Sequence, residues 1–151
     1  VASDAVSGEA YILNKGPVSR AICASTAIPG VMEPVRYQGR LLVDGAVVHP
    51  VPVALAKSLG ADIVIAVDLS LPPFRRKAPK HFVTSILNTI EMMSQKILQE
   101  ELQLADIVLN PQMESQISFK ASPSYIRIGE KAARETIAAI QHKIKEATVN
   151  P

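Results

Sequence analysis

At 151 residues the chain has the size of one domain, and a folded chain of that length buries about 68–70% of its unfolded surface. Its 16 Lys and Arg against 14 Asp and Glu leave a net charge of +2, so the basic footprint of a nucleic-acid binder is missing. A single cysteine, Cys23, excludes an internal disulfide or a multi-cysteine metal site and points to a reducing, cytoplasmic compartment.

With no Trp and 4% aromatic residues, Val, Ile, Leu and Ala must supply the packing, which favours a buried parallel sheet with helices on it. No apolar run is long enough to cross a bilayer. The chain opens on Val1 inside a strand-like pattern and reads as a piece of something longer.

The opening VASDAVSGEAYILN predicts a hairpin turned at Ser7 and Gly8. Gly16 and Pro17 end it, and VSRAICAST reads as a short helix stopped at Pro29 and Gly30. VMEPVRYQGRLLVDG follows as two strands turned at Gln38 and Gly39. Pro52 to Leu59 reads as a helix capped by Gly60, and DIVIAVDLS as an almost fully buried strand. After the basic FRRKAPK loop, Phe82, Ile86, Ile90, Met93, Ile97 and Leu102 predict a long helix through Leu104. DIVLNP is another short strand, Gln112 to Lys120 is polar, and Ser124 to Ala147 closes the chain as a helix with an inner stripe of Ala133, Ile137, Ile140 and Ile144.

Strands alternating with helices predict an α/β fold, a layered sandwich with a mainly parallel central sheet. About three central strands are visible, few for helices of this length, so the sheet is expected to be incomplete. Unpaired edges predict dimers or larger species, or rescue by a missing N-terminal half.

Asp44 is the residue most suited to chemistry, set between the strand-like LLV and Gly45. A serine hydroxyl attacks an ester only when a nearby base takes its proton, and Asp44 is the candidate for that base. Gly45 is expected to let the backbone turn sharply and to leave room for an approaching serine or substrate. An Asp-Gly pair after a strand is more often a plain turn. No two of the seven glycines lie four positions apart, so the nucleophile turn GxSxG is absent.

The stretches ASTAIPGVMEPV, GRLLVDGA and PVPVALAKSLGADIVIAVDL, in this order and spacing, resemble the second half of the patatin-like phospholipase family. ADIVLNP and Ile128 to Ala133 extend the resemblance almost to the C-terminus. The family uses a Ser-Asp dyad whose aspartate lies in a DG[GA] motif, matched by Asp44, Gly45 and Ala46. The resemblance therefore implies that residues 1–151 are the C-terminal part of a patatin-like acyl hydrolase domain, with Asp44 as general base. It implies an acyl lipid or phospholipid substrate and neither a metal nor an organic cofactor. The family's nucleophile and glycine-rich oxyanion loop precede the matching region, so the chain alone is expected to be inactive. The competing reading is a non-catalytic α/β binding or interaction module.

The remaining polar residues draw plainer readings. His49, five residues after Asp44, is read as an ordinary loop histidine rather than a triad base. His81 and His142 are read as pairing with no carboxylate at metal-ligand spacing. Asp68 lacks an upstream GxGxxG and is read as a loop cap at the carboxyl edge of the sheet rather than a ribose ligand. Arg75, Arg76, Lys77 and Lys80 beside Phe74 read as a solvated loop, with peripheral contact to an anionic membrane as the functional alternative. Met92, Met93 and Ile97 read as core.

Overall fold

The computed structural model describes residues 1–70, 78–112 and 123–149. They fall into two compact units, Val1–Pro52 with Pro79–Glu101, and Val53–Ala78 with Leu102–Pro151.

The first unit is built on a four-stranded sheet of β1 (Ala2–Asp4), β2 (Ala10–Tyr11), β3 (Val35–Tyr37) and β4 (Arg40–Asp44), in the order β2-β1-β4-β3. Every pairing is antiparallel, with Ala2 opposite Asp44 and Val35 opposite Leu42. Two turns explain this. Gln38 and Gly39 both take positive φ, +48° and +79°, the pattern of a type I′ hairpin whose twist matches its strands. Asp4 organises the other: its Oδ1 accepts the Val6 N–H at 2.9 Å, and its Oδ2 takes Arg40 of β4 at 2.8 Å. The Val6 N–H, followed by Arg40, holds the Asp4 carboxyl below its ordinary value.

Helix α1 (Val18–Ser25) packs on this sheet. Ala24 joins Ala2, Tyr37 and Leu42 in the core, with Tyr11, Leu13 and Val35 against them. The Tyr37 hydroxyl donates to the Lys15 carbonyl at 2.9 Å, so the buried phenol keeps its hydrogen bond. Helix α3 (Phe82–Leu104) contributes its residues through Glu101 to the same unit.

The second unit holds α2 (Val53–Ser58), β5 (Ile65–Val67), β6 (Ile107–Leu109) and α4 (Pro123–Val149). Strands β5 and β6 pair in parallel, Ile65 opposite Ile107 and Val67 opposite Leu109. Gly60, at φ +93°, ends α2 in a Schellman turn: its N–H donates to Lys57 O and the Ala61 N–H to Ala56 O. Asp106 ties this turn to the strands, accepting the Val64 N–H at 3.0 Å with Lys57 Nζ at 3.3 Å. The Val64 N–H, aided by Lys57 and opposed by burial, holds its carboxyl below the ordinary value.

The chain is thus mixed α/β, and both predicted hairpins and all four predicted helices are present. The expectation of a mainly parallel sheet is corrected: four strands pair antiparallel, and parallel pairing is confined to β5 and β6 among the described residues. An apolar strand pattern identifies strands but not the direction of their partners.

Three burial expectations also change. In β5 only Ala66 is buried, while Ile65 and Val67 are 42% and 49% exposed. On α4 the more covered positions include Ala132, Thr136 and Ile140, leaving Ile137 and Ile144 exposed. On α3 they run through Glu91, Ser94, Leu98 and Glu101, so Phe82, Met92, Met93 and Ile97 are exposed rather than core. Each helix carries apolar residues around more of its circumference than one neighbour covers. The sequence expectations for Arg75, Arg76, Lys77, Phe74 and most of Gln112 to Lys120 lie outside the described residues.

Candidate active site

Asp44 is the last residue of β4, and its position is set from both sides. Its N–H donates to the Ala27 carbonyl at 3.0 Å, and its own carbonyl accepts the buried Ser3 hydroxyl at 2.9 Å. With the backbone held, the side chain caps the 3₁₀ turn Gly45–Val47: the Ala46 N–H donates to Asp44 Oδ1 at 2.9 Å. Among the described residues Oδ2 has no protein partner. The half-exposed side chain therefore presents one oxygen from a fixed backbone, the arrangement a proton acceptor requires.

Gly45 also serves a purpose that its sequence context does not reveal. Its φ is not positive. A Cβ there would lie 2.5 Å from the Val1 carbonyl oxygen and 3.0 Å from its carbon. The missing side chain makes room for the backbone of Val1.

His49 also departs from its reading as a plain loop residue. Its Nδ1 lies 2.7 Å from Oε1 of Glu101, 52 positions away and buried, with a side chain 7% exposed. Glu101 was invisible to sequence reasoning as a functional partner. The available signal was an acid at spacing three after Leu98, on the covered stripe of α3.

Within the second unit, Asp68 behaves as the predicted cap. Its Oδ1 accepts the Ser70 N–H at 2.8 Å and its Oδ2 the Asn110 side-chain amide at 2.9 Å, joining the carboxyl ends of β5 and β6. The His81 N–H donates to Thr84 Oγ1 at the start of α3. His142 does pair with a carboxylate, Glu146, one turn on at 3.6 Å on the exposed face of α4. Among the described residues no group of three or more His, Cys, Asp or Glu is arranged to hold a metal ion. No helix among them is long and apolar enough to cross a membrane.

Comparison with known proteins bears on the segment around Asp44. The family model for patatin-like phospholipases matches residues 6–57. An uncharacterized NTE family protein of Mycobacterium tuberculosis is 44% identical over 70 residues, 46% of this chain and 19% of that protein. A second from the same organism is 38% identical over 69 residues, 46% of this chain and 12% of its own length. A lysophospholipase nte1 of Emericella nidulans is 36% identical over 56 residues, 37% of this chain and 4% of that protein. The chain spans less than a fifth of the length of each of these relatives. The segment that holds Asp44 is thus the part of the chain that matches the patatin-like phospholipase family.

Proposed function

We propose that this chain is the C-terminal part of a serine acyl hydrolase domain and supplies its general base. The observation that carries the reading is Asp44: Oδ1 held by the Ala46 N–H, Oδ2 open among the described residues, at the end of a strand pinned by Ser3 and Ala27. In the complete domain, a serine from the preceding part attacks the ester carbonyl while Asp44 Oδ2 accepts its proton. The proton then passes to the departing alcohol, and water, deprotonated in turn by Asp44, releases the acyl group from the serine.

The substrate class is an acyl lipid, a phospholipid or lysophospholipid, supported by the family-model match over residues 6–57 and by the lysophospholipase among the relatives. The chemistry invokes neither metal nor organic cofactor. Alone, the chain holds a base without nucleophile or oxyanion donors, and we place it among inactive fragments. The half-exposed Ile65 and Val67 on β5, which pairs only with β6 among the described residues, support pairing with the nucleophile-bearing part or with another copy. In that arrangement the sheet is the incomplete layer of a larger sandwich. The free Cys23 suits a reducing cytoplasm, with membrane contact peripheral.

The test is esterase activity of the 151-residue chain on short p-nitrophenyl esters, beside an Asp44→Ala control. Equal, background rates are expected. Turnover above the control would place a nucleophile within this chain and refute the division of labour.

A further inference from the structure

The turn that presents Asp44 is anchored at its far end by a contact that acyl-transfer chemistry does not itself call for. The Val48 and His49 N–H groups both close onto the Gly45 carbonyl, at 3.1 and 2.9 Å, so the backbone from Asp44 to His49 is one continuous turn. His49 then reaches the buried Glu101 on α3. The contact engages Nδ1 of the imidazole, and a carboxylate in that position can only accept, which selects the tautomer with the proton on Nδ1. Glu101 stands in the last turn of α3, where the helix dipole disfavours negative charge and burial adds to the cost. A hydrogen bond to the imidazole offsets that cost, which gives the contact a reason to be kept.

We propose that His49 and Glu101 are a positioning pair for Asp44. Glu101 fixes the imidazole, the imidazole fixes the end of the turn, and the turn fixes the Ala46 N–H that aims the Asp44 carboxylate. The pair makes no bond to substrate and moves no proton. The inference rests on Asp44 being the base, and its test separates the two.

In the full-length protein, His49→Ala and Glu101→Ala are each expected to lower kcat about tenfold, with KM within about twofold, because a small misplacement of a reacting group costs rate rather than binding. The double variant should lose no more than either single one, as for two residues acting through one contact. His49→Asn, whose Nδ2 branches from Cγ as the imidazole Nδ1 does, should restore most of the loss, and Glu101→Gln, which keeps an acceptor oxygen, should lose little. Hydrogen exchange at the Ala46 and His49 amides should quicken in His49→Ala, while β4 amides stay protected. A loss confined to stability would move both sets together and would overturn the proposal.

Wild-type kcat in a folded His49→Ala or Glu101→Ala protein would also overturn it, while an inactive Asp44→Asn would leave the base assignment standing. If His49→Asn is as damaged as His49→Ala, with losses of about 10² or more, and Asp44→Asn stays active, the imidazole is itself the base and both readings fall.

Discussion

The two strands β4 and β5 read almost alike in sequence, LLVD and IAVD, yet the structure treats them differently. Strand β4 is paired on both edges, and its Leu42 is fully buried among Ala2, Ala24 and Tyr37. Strand β5 is paired with β6 alone among the described residues, and two of its three residues are about half exposed. What differs is the supply of neighbours, not intrinsic strand character. The β4 unit carries most of the segment matched by the family model, and the better-enclosed strand is also the one that ends in the candidate base.

The sharpest way to break this contrast is truncation of one residue in each strand. Leu42→Ala should cost about 2–5 kcal/mol, the range for a leucine removed from a filled core. Ile65→Ala should cost about 1 kcal/mol or less, because much of that side chain already meets water. Chemical denaturation with separate probes in each unit measures both. A comparable loss at Ile65 would show that something covers it in solution.

A smaller effect is expected at Gly45. An alanine Cβ would meet the Val1 backbone, and relieving such an overlap costs about 1–3 kcal/mol. The loss should be accompanied by faster exchange along β1. An alanine that leaves stability unchanged would mean that Val1 is not held against the turn.

Acid should affect both units for one physical reason. Asp4 in the first and Asp106 in the second are each held below the ordinary carboxyl value, first by a backbone N–H and then by a cation. A depressed folded value means that the unfolded chain binds the proton first. The stabilisation is complete above about pH 4 and is lost as pH falls through the folded values. Asp4→Asn and Asp106→Asn should each flatten the decline of melting temperature in that window. The exposed Arg134 and Glu130 pair on α4, at 2.7 Å, should matter least: Arg134→Ala is expected to change stability by less than about 0.5 kcal/mol.

How much of this was legible in the sequence depended on how local its cause was. The Gln38-Gly39 turn, the Gly60 cap and the placement of Asp44 at a strand end each follow from a few adjacent residues, and each was readable. The direction of the sheet was not, because β1 meets β4 across some 40 residues, and nothing in either strand names its partner. The covered faces of α3 and α4 were misplaced for a related reason. Ile137, Ile144, Met93 and Ile97 are as apolar as the residues that packing selects. At Gly45 the sequence suggests a sharp turn, while the group that a side chain there would meet, the backbone of Val1, lies 44 positions away. The link from His49 to Glu101 was hidden by the same distance.

The central claim, that Asp44 is the base of an acyl hydrolase, is tested most directly by Asp44→Asn in the full-length protein. The amide is nearly isosteric, and its oxygen can still accept the Ala46 N–H, so the fold should be preserved while the proton acceptor is lost. The account predicts unchanged circular dichroism and melting temperature with a fall in kcat/KM on a lysophospholipid of at least about 10². Turnover within tenfold of wild type, on an equally stable protein, would contradict it.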